Sequence, residues 1–193
     1  MNVLVLCLKA FETMEFSVFI DIIGWAHDER NCDIKVTTCG FQKVVKSTFG
    51  IPVIMDSIID DICVDDYDAI AIPGGFQEYG FRDEAFHEKT CELIRKFHQQ
   101  NKPIATVCVA AFALAKSGVL YGKRATTYHL LNGARQKELA EYDGITVINE
   151  PIVVDEKIIT SYCPQTAVEV AFKLLEMLTN QNVTVAIKEM MGY

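Results

Sequence analysis

The sequence has no C-x-x-C pair, no H-x-x-x-H pair and no carboxylate cluster at metal-ligand spacing, so no metal is expected. It has no glycine-rich phosphate loop, no internal repeat and no low-complexity tract, and no cofactor is expected either. No apolar run approaches the length of a membrane span. Positive charge is the scarcer sign: 18 Lys and Arg stand against 26 Asp and Glu, a formal net charge of −8, which argues against nucleic acid or an anionic membrane as partner. The apolar start, Met1 to Leu8, is too short for a signal peptide and lacks its basic flank. Cysteine is not lacking. The seven thiols are odd in number, and several sit inside apolar patterns, which argues against a disulfide framework and for a reducing, cytoplasmic compartment.

With half of its 193 residues hydrophobic, the chain can bury a sizeable core, and one α/β domain over 1–193 is expected. Asn2–Leu8 and Tyr67–Ile72 are continuous apolar runs of the kind that form buried parallel strands. Asp33–Cys39, Arg124–Thr127, Ile145–Ile148, Ile152–Val154 and Lys157–Thr160 read as further strands, and 43–47 with 52–55 as a hairpin. Met14–Ala26 has helical spacing with Thr13 as a candidate N-cap, and Ser57–Cys63 reads as one or two helical turns. Glu84–Gln100, Gly133–Tyr142 and Thr166–Leu178 complete the helices. The alternation implies an open, mostly parallel sheet with helices on both faces over a core of about 2–180. The tail 183–193 is apolar enough to dock, with a partner subunit as one acceptor.

The densest signal lies at Ile104-Ala105-Thr106-Val107-Cys108-Val109-Ala110-Ala111. A short buried strand runs straight into an alanine-rich helix closed by Gly118, with no turn-forming residue between them. The turn must be tight with Cys108 at its apex, the logic of a nucleophile elbow with cysteine in place of serine. A helix N-terminus favours thiolate over thiol. A buried free cysteine is also a common core residue, so position carries this reading.

Sites in open α/β sheets form beyond the carboxyl ends of the strands, and three segments share that edge here. Gly74-Gly75 after Pro73 permits either a tight turn or an N–H aimed at a developing oxyanion, with the Val109 N–H as its pair. Glu15 either complements its helix N-terminus from the surface or turns inward, where desolvation would raise its pKa and let it hydrogen bond to the thiolate. Of four histidines only His129 lies near the site edge, where a Cys–His pair would support nucleophilic catalysis.

The segments Ala10–Asp21, Asp68–Gly75, Thr106–Ala110, Gly122–Thr127 and Ile158–Ser161 together resemble the ThiJ/PfpI superfamily, the class I glutamine amidotransferase-like group that includes the parkinsonism-linked protein deglycase. The resemblance covers about residues 2–180 in order. It implies a flavodoxin-like fold, a homodimer, Cys108 as the reactive cysteine, Glu15 as the buried carboxyl on its sulfur, and Gly75 and Val109 as oxyanion amides. Gly74, Tyr128, His129 and Cys163 are possible lining residues.

The departures from that pattern are specific. Many relatives carry histidine where this sequence has Tyr128, with His129 one place later and therefore pointing the other way along an extended segment. The group's Arg-Gly-Pro-Gly-Thr is here Tyr162-Cys163-Pro164-Gln165-Thr166, which removes an anion-binding arginine and adds a cysteine. Val109 replaces the histidine of the protease-like branch, so proteolysis is not implied. Three functions stay open: a hydrolase, lyase or hydratase acting on a small electrophile, such as an amide or a glyoxalase- or deglycase-type substrate; an oxidative-stress sensor acting through Cys108 oxidation, with Cys163 able to resolve it; and a non-enzymatic ligand-binding or chaperone-like dimer. Gly118–Thr127 also resembles the sensor halves of AraC-type regulators, but no helix-turn-helix segment accompanies it.

Overall fold

The computed structural model describes residues 1–193. Strand β1 (Asn2–Leu6) is buried from Val3 to Leu6 because it pairs in parallel on both sides. Helix α1 (Thr13–Arg30) runs a turn beyond the apolar pattern, through an exposed polar end, and stops at Asn31 in the left-handed region, φ 49°. Thr13 is its first residue and not its cap; Glu12 stands at the cap position with no side-chain cap bond. Next come β2 (Lys35–Gly40) and the expected hairpin, β3 (Val44–Lys46) antiparallel to β4 (Pro52–Ile54).

Ser57–Cys63 is not the expected helix. Its start is β5 (Ser57–Ile58), parallel to the end of β2, followed by short 3-10 turns. The Asp56 carboxylate accepts from both the N–H and the hydroxyl of Thr38 at 2.8 Å and so fastens this segment to the sheet edge. After β6 (Ala69–Ile72), the expected helix over 84–100 is two: α2 (Phe81–Ala85) and α3 (Glu88–Gln99). The break falls at Phe86-His87, where His87 is extended and its Nδ1 accepts the Lys89 N–H at 3.2 Å, capping the second helix.

Strand β7 (Ile104–Thr106) leads through a 3-10 turn into α4 (Ala111–Ser117), which Gly118 ends at φ 84°. Strand β8 (Arg124–Ala125) is shorter than expected, and α5 (Leu130–Leu139) begins with three left-handed residues, Leu131 to Gly133, so its regular part starts close to the predicted Gly133. Strand β9 (Thr146–Val147) pairs with β8; β10 (Ile152–Asp155) and β11 (Ile158–Ser161) form an antiparallel pair. Pro164 opens the turn into α6 (Ala167–Leu178), and α7 (Gln181–Met191) follows.

The main sheet has seven strands in the order β10-β11-β7-β6-β1-β2-β5, parallel except for β10. This is the α/β, flavodoxin-like architecture that the strand–helix alternation implies. Alternate residues of each strand feed two cores. Leu4, Leu6, Ile70, Ile72 and Ile104 pack with α3 and α4 on one face. Val3, Val5, Ala69, Ala71 and Ala105 pack with α1 and α6 on the other.

The tail docks on its own chain. Helix α7 packs on α1 and α6, with Ile187 fully buried, Lys188 paired with Glu169 at 2.7 Å and Tyr193 edge-on to Phe172. Ile187→Ala is expected to lower unfolding stability by about 2 to 3 kcal/mol through the cavity it leaves, measured by chemical denaturation. An unchanged midpoint would mean that the tail contributes nothing to the fold.

Candidate active site

The sheet order changes direction at β1, with β2 on one side and β6 and β7 on the other, so the crevice at their carboxyl ends is where the topology opens a site. Three loops meet there. The first follows β1 and carries Ala10, a non-glycine residue at φ 59°. The second follows β6 and is joined to the first by a single antiparallel bridge, Phe11 to Gly75. In that bridge the Glu12 N–H donates to the Gly74 carbonyl at 2.7 Å and the Phe76 N–H to the Ala10 carbonyl at 3.4 Å. The Gly75 N–H donates to no backbone carbonyl and stays free at the pocket wall.

The third loop is the elbow itself. Cys108 sits at φ 56°, in the left-handed region that only a packed environment imposes on a side chain with a Cβ. The Thr127 hydroxyl donates to the Cys108 carbonyl at 2.9 Å and helps to hold the turn. This backbone twist returns the Cys108 side chain to the face occupied by Val107 and α1, instead of the opposite face that strand alternation would give.

Glu15 lies in the first turn of α1 and is fully buried. Its Oε2 accepts from the Gly74 N–H at 2.6 Å, while Oε1 is buried without a hydrogen-bond partner, and the carboxyl faces the Cys108 thiol. Burial above all, opposed by the Gly74 bond and assisted by the Glu12 charge, pushes the Glu15 carboxyl up to about 8. The Cys108 thiol is also pushed well up, by burial first and then by the Glu15 charge, against the pull of the Val109 N–H on its sulfur. This corrects the sequence expectation of a thiolate favoured by the helix N-terminus. Desolvation outweighs the few dipoles of a 3-10 turn, so burial opposes ionisation of the thiol.

Both glycines are required by contact and not by conformation, since neither has positive φ. A Cβ at Gly74 would stand 2.7 Å from Glu15 Oε2 and 2.9 Å from Cys108 Cβ. A Cβ at Gly75 would stand 2.3 Å from the Ala10 carbonyl oxygen.

The resulting pocket is about 160 Å³, room for a molecule of a few heavy atoms. Cys108, Glu15, Gly75, Val109 and Tyr128 line it. Gly74 stands behind the wall as the donor to Glu15. His129 does not line the pocket. Its ring stacks on Tyr162 at 3.9 Å, and its buried Nδ1 has no partner, so the alternative of a Cys–His pair is not realised. Cys163 also lies outside the lining, buried at the start of α6, and both it and Cys108 are free thiols.

Sequence reasoning missed the opposite wall. Arg82 and Arg135 line the pocket and share Glu138, at 2.6 Å and 2.8 Å. The two guanidinium groups, Arg82 foremost, hold the Glu138 carboxyl below its usual range. Arg82 Nη2 is buried without a partner, and its guanidinium lies 4.7 Å over the Phe112 ring. The pocket therefore has cationic donors even though the arginine expected after Ser161 is absent. The i,i+3 spacing of Arg135 and Glu138 was the visible signal for half of this wall; nothing local marks Arg82. Among the described residues no group of three or more potential ligands could hold a metal ion.

The family model described as the DJ-1/PfpI family matches residues 1–177. Protein dj-1beta of Drosophila melanogaster is 29% identical over 182 residues, covering 93% of this chain and 90% of the relative. Its crystal structure superposes with a TM-score of 0.84 at 26% identity, covering 98% of this chain and 96% of that one. Deglycase PfpI of Pyrococcus furiosus is 30% identical over 165 residues, covering 85% and 91%. The structure described as oxidized DJ-1 of Toxoplasma gondii superposes at 0.79 with 28% identity, covering 100% and 98%.

Proposed function

The chain belongs to the DJ-1/PfpI family, and from that premise we propose that it is a single-domain, cysteine-dependent hydrolase, hydratase or lyase acting on a small electrophile in the Cys108 pocket. The observation that carries this reading is the buried Glu15 beside a thiol held at a strained elbow, with an unpaired Gly75 N–H on the same wall. Glu15, raised to about 8, is the general base: its ionised form takes the Cys108 proton on demand. The sulfur then forms a bond to the electrophilic carbon as the π-pair moves to oxygen. That oxyanion accepts from the Gly75 N–H, with the Val109 N–H beside the new bond. Glu15 returns its proton to the leaving atom. Arg82 and Arg135 supply positive charge and N–H donors at the far wall. The name deglycase, carried by the Pyrococcus furiosus relative, supports carbonyl-adduct substrates for this chain as well.

No helix is long and apolar enough to cross a membrane; the partner proposed is a small molecule and the compartment proposed is the cytoplasm. We infer a homodimer, the assembly common in the family, with light scattering as its test. For the chemistry, a panel of small aldehydes, amides and glyoxal adducts is to be screened for turnover. Cys108→Ser is expected to reduce turnover of the best substrate roughly 10³-fold or more. A serine variant that kept full turnover would remove the nucleophile assignment.

A further inference from the structure

Two thiols stand at the ends of neighbouring strands. Strands β7 and β11 pair in parallel with Ile158 opposite Ile104 and Ile159 opposite Ala105. The pairing continues through side chains, since the Thr106 hydroxyl donates to the Ile159 carbonyl at 3.2 Å and the Ser161 hydroxyl to the Thr106 carbonyl at 3.4 Å. Continued to the sheet edge, this register sets Tyr162 opposite Cys108, with Cys163 one residue further. Adjacent strands lie about 4.8 Å apart, so the ends of β7 and β11 bring the two residues to one corner of the sheet edge, where a disulfide would need Cα atoms within about 7 Å.

Their side chains also share a face. Ile159 packs on the α1 and α6 side, and Cys163 follows it at an interval of four in extended backbone, φ −166° and ψ 177°. Cys108 reaches that side through its positive φ. The charges of Glu15 and Cys163 both act on the Cys108 thiol, which places the three groups in one neighbourhood. Burial raises the Cys163 thiol above its ordinary value, and the Gln165 and Thr166 N–H groups of the turn before α6, which its sulfur accepts, partly offset that rise. By contrast Cys7 and Cys39, also close in sequence register, project into opposite cores and cannot pair.

We propose that Cys163 is the resolving cysteine of Cys108, closing an intramolecular disulfide across the ends of β7 and β11 after oxidation by a peroxide. Glu15 takes the thiol proton; the sulfur attacks the peroxide oxygen, the O–O bond breaks, and the departing alkoxide or hydroxide receives that proton. Cys108 is now a sulfenic acid. The Cys163 sulfur attacks the Cys108 sulfur, the S–S bond forms and the S–O bond breaks, and the Cys163 proton leaves with hydroxide as water. One peroxide and two thiols become one disulfide, one alcohol or water, and one further water. The closed form lacks a nucleophile and reopens with a thiol reductant. The inference rests on the reactive Cys108 of the preceding section but not on any substrate.

The test treats the full chain with one equivalent of hydrogen peroxide at low protein concentration, followed by non-reducing peptide mapping and, in parallel, iodoacetamide labelling of untreated protein. A linked peptide pair joining Cys108 to Cys163, two hydrogens lighter than the separate peptides, is expected. In Cys163→Ser the link disappears, and doubly oxygenated Cys108 rises by roughly tenfold at equal peroxide. Doubly oxygenated Cys108 in the wild type with Cys163 still a free thiol would overturn the proposal. So would a Cys108 that labels with iodoacetamide yet is untouched by peroxide, with the nucleophile reading left standing; a Cys108 that does neither removes both.

Discussion

A Glu15→Gln variant is expected to unfold at a higher temperature than the wild type at pH 8, and at nearly the same temperature below pH 4.5. In the unfolded chain the carboxyl has its ordinary value of 4.5, whereas in the fold it is raised to about 8, mainly by burial. Below 4.5 the group is neutral in both states and its burial is unopposed. As pH rises, the unfolded chain ionises first, so the fold loses stability progressively across the window from 4.5 to 8. At about 1.4 kcal/mol per pKa unit, the loss reaches on the order of 4 kcal/mol by pH 8. Glutamine keeps the acceptor for the Gly74 N–H and never ionises, so its melting temperature escapes this decline. The same variant is expected to alkylate at Cys108 roughly 10²- to 10³-fold more slowly at pH 8, without the rise through that pH that the wild type shows. Gain of stability with loss of reactivity is the signature of a strained functional group. Parallel melting curves for the two proteins from pH 4 to 8 would show that Glu15 is not held neutral by the fold.

Gly75→Ala is expected to destabilise the protein by about 4 kcal/mol or more, and Gly74→Ala to destabilise it and also to disturb the thiol. The added methyl at 75 meets the Ala10 carbonyl at 2.3 Å and the Phe81 ring at 2.5 Å. The first is backbone held by the Phe11–Gly75 bridge and by the Thr48 hydroxyl at 2.6 Å, so it has nowhere to go. At 74 the methyl meets Glu15 Oε2 and the Val107 carbonyl, both at 2.7 Å, and Cys108 Cβ at 2.9 Å, so it strains the backbone of the elbow as well as displacing the carboxyl. Urea denaturation reports both positions, and alkylation kinetics at Cys108 report the second. Equal midpoints for Gly75→Ala and wild type would mean that the bridge is pliant and the two loops are joined only weakly.

The parallel strands were readable because buried strands announce themselves as unbroken apolar runs, and the elbow because strand and helix abut without a turn residue. The glycines at 74 and 75 were readable as a requirement but not as its kind. They serve packing, whereas the left-handed backbone falls on Ala10 and Cys108, whose side chains give no hint of it. Local pattern also failed where a distant partner decides the outcome. Asp56 draws 57–58 to the edge of β2, and the His87 cap divides one apolar pattern between two helices. Arg82 was unreadable for the same reason, because Glu138 and Phe112, which hold it, lie far along the chain. His129 was left open: the one-residue offset gave a reason for Tyr128 to face the thiol in its place, and the stacking on Tyr162 that decides the matter needs the β11 exit in place.

The docking of α6 and α7 on α1 also sets a schedule for biosynthesis. Glu15 is translated near the start, and although β1 and β2 can receive one side of its helix early, the α6 and α7 segments that also pack on α1 are made more than 150 residues later. Until those segments leave the ribosome, the core that Phe19, Ile22 and Ile23 share with Val170, Leu174 and Ile187 is incomplete and leaves apolar surface exposed. The helix that carries the carboxyl therefore gains the last of its covering only after nearly the whole chain has been made.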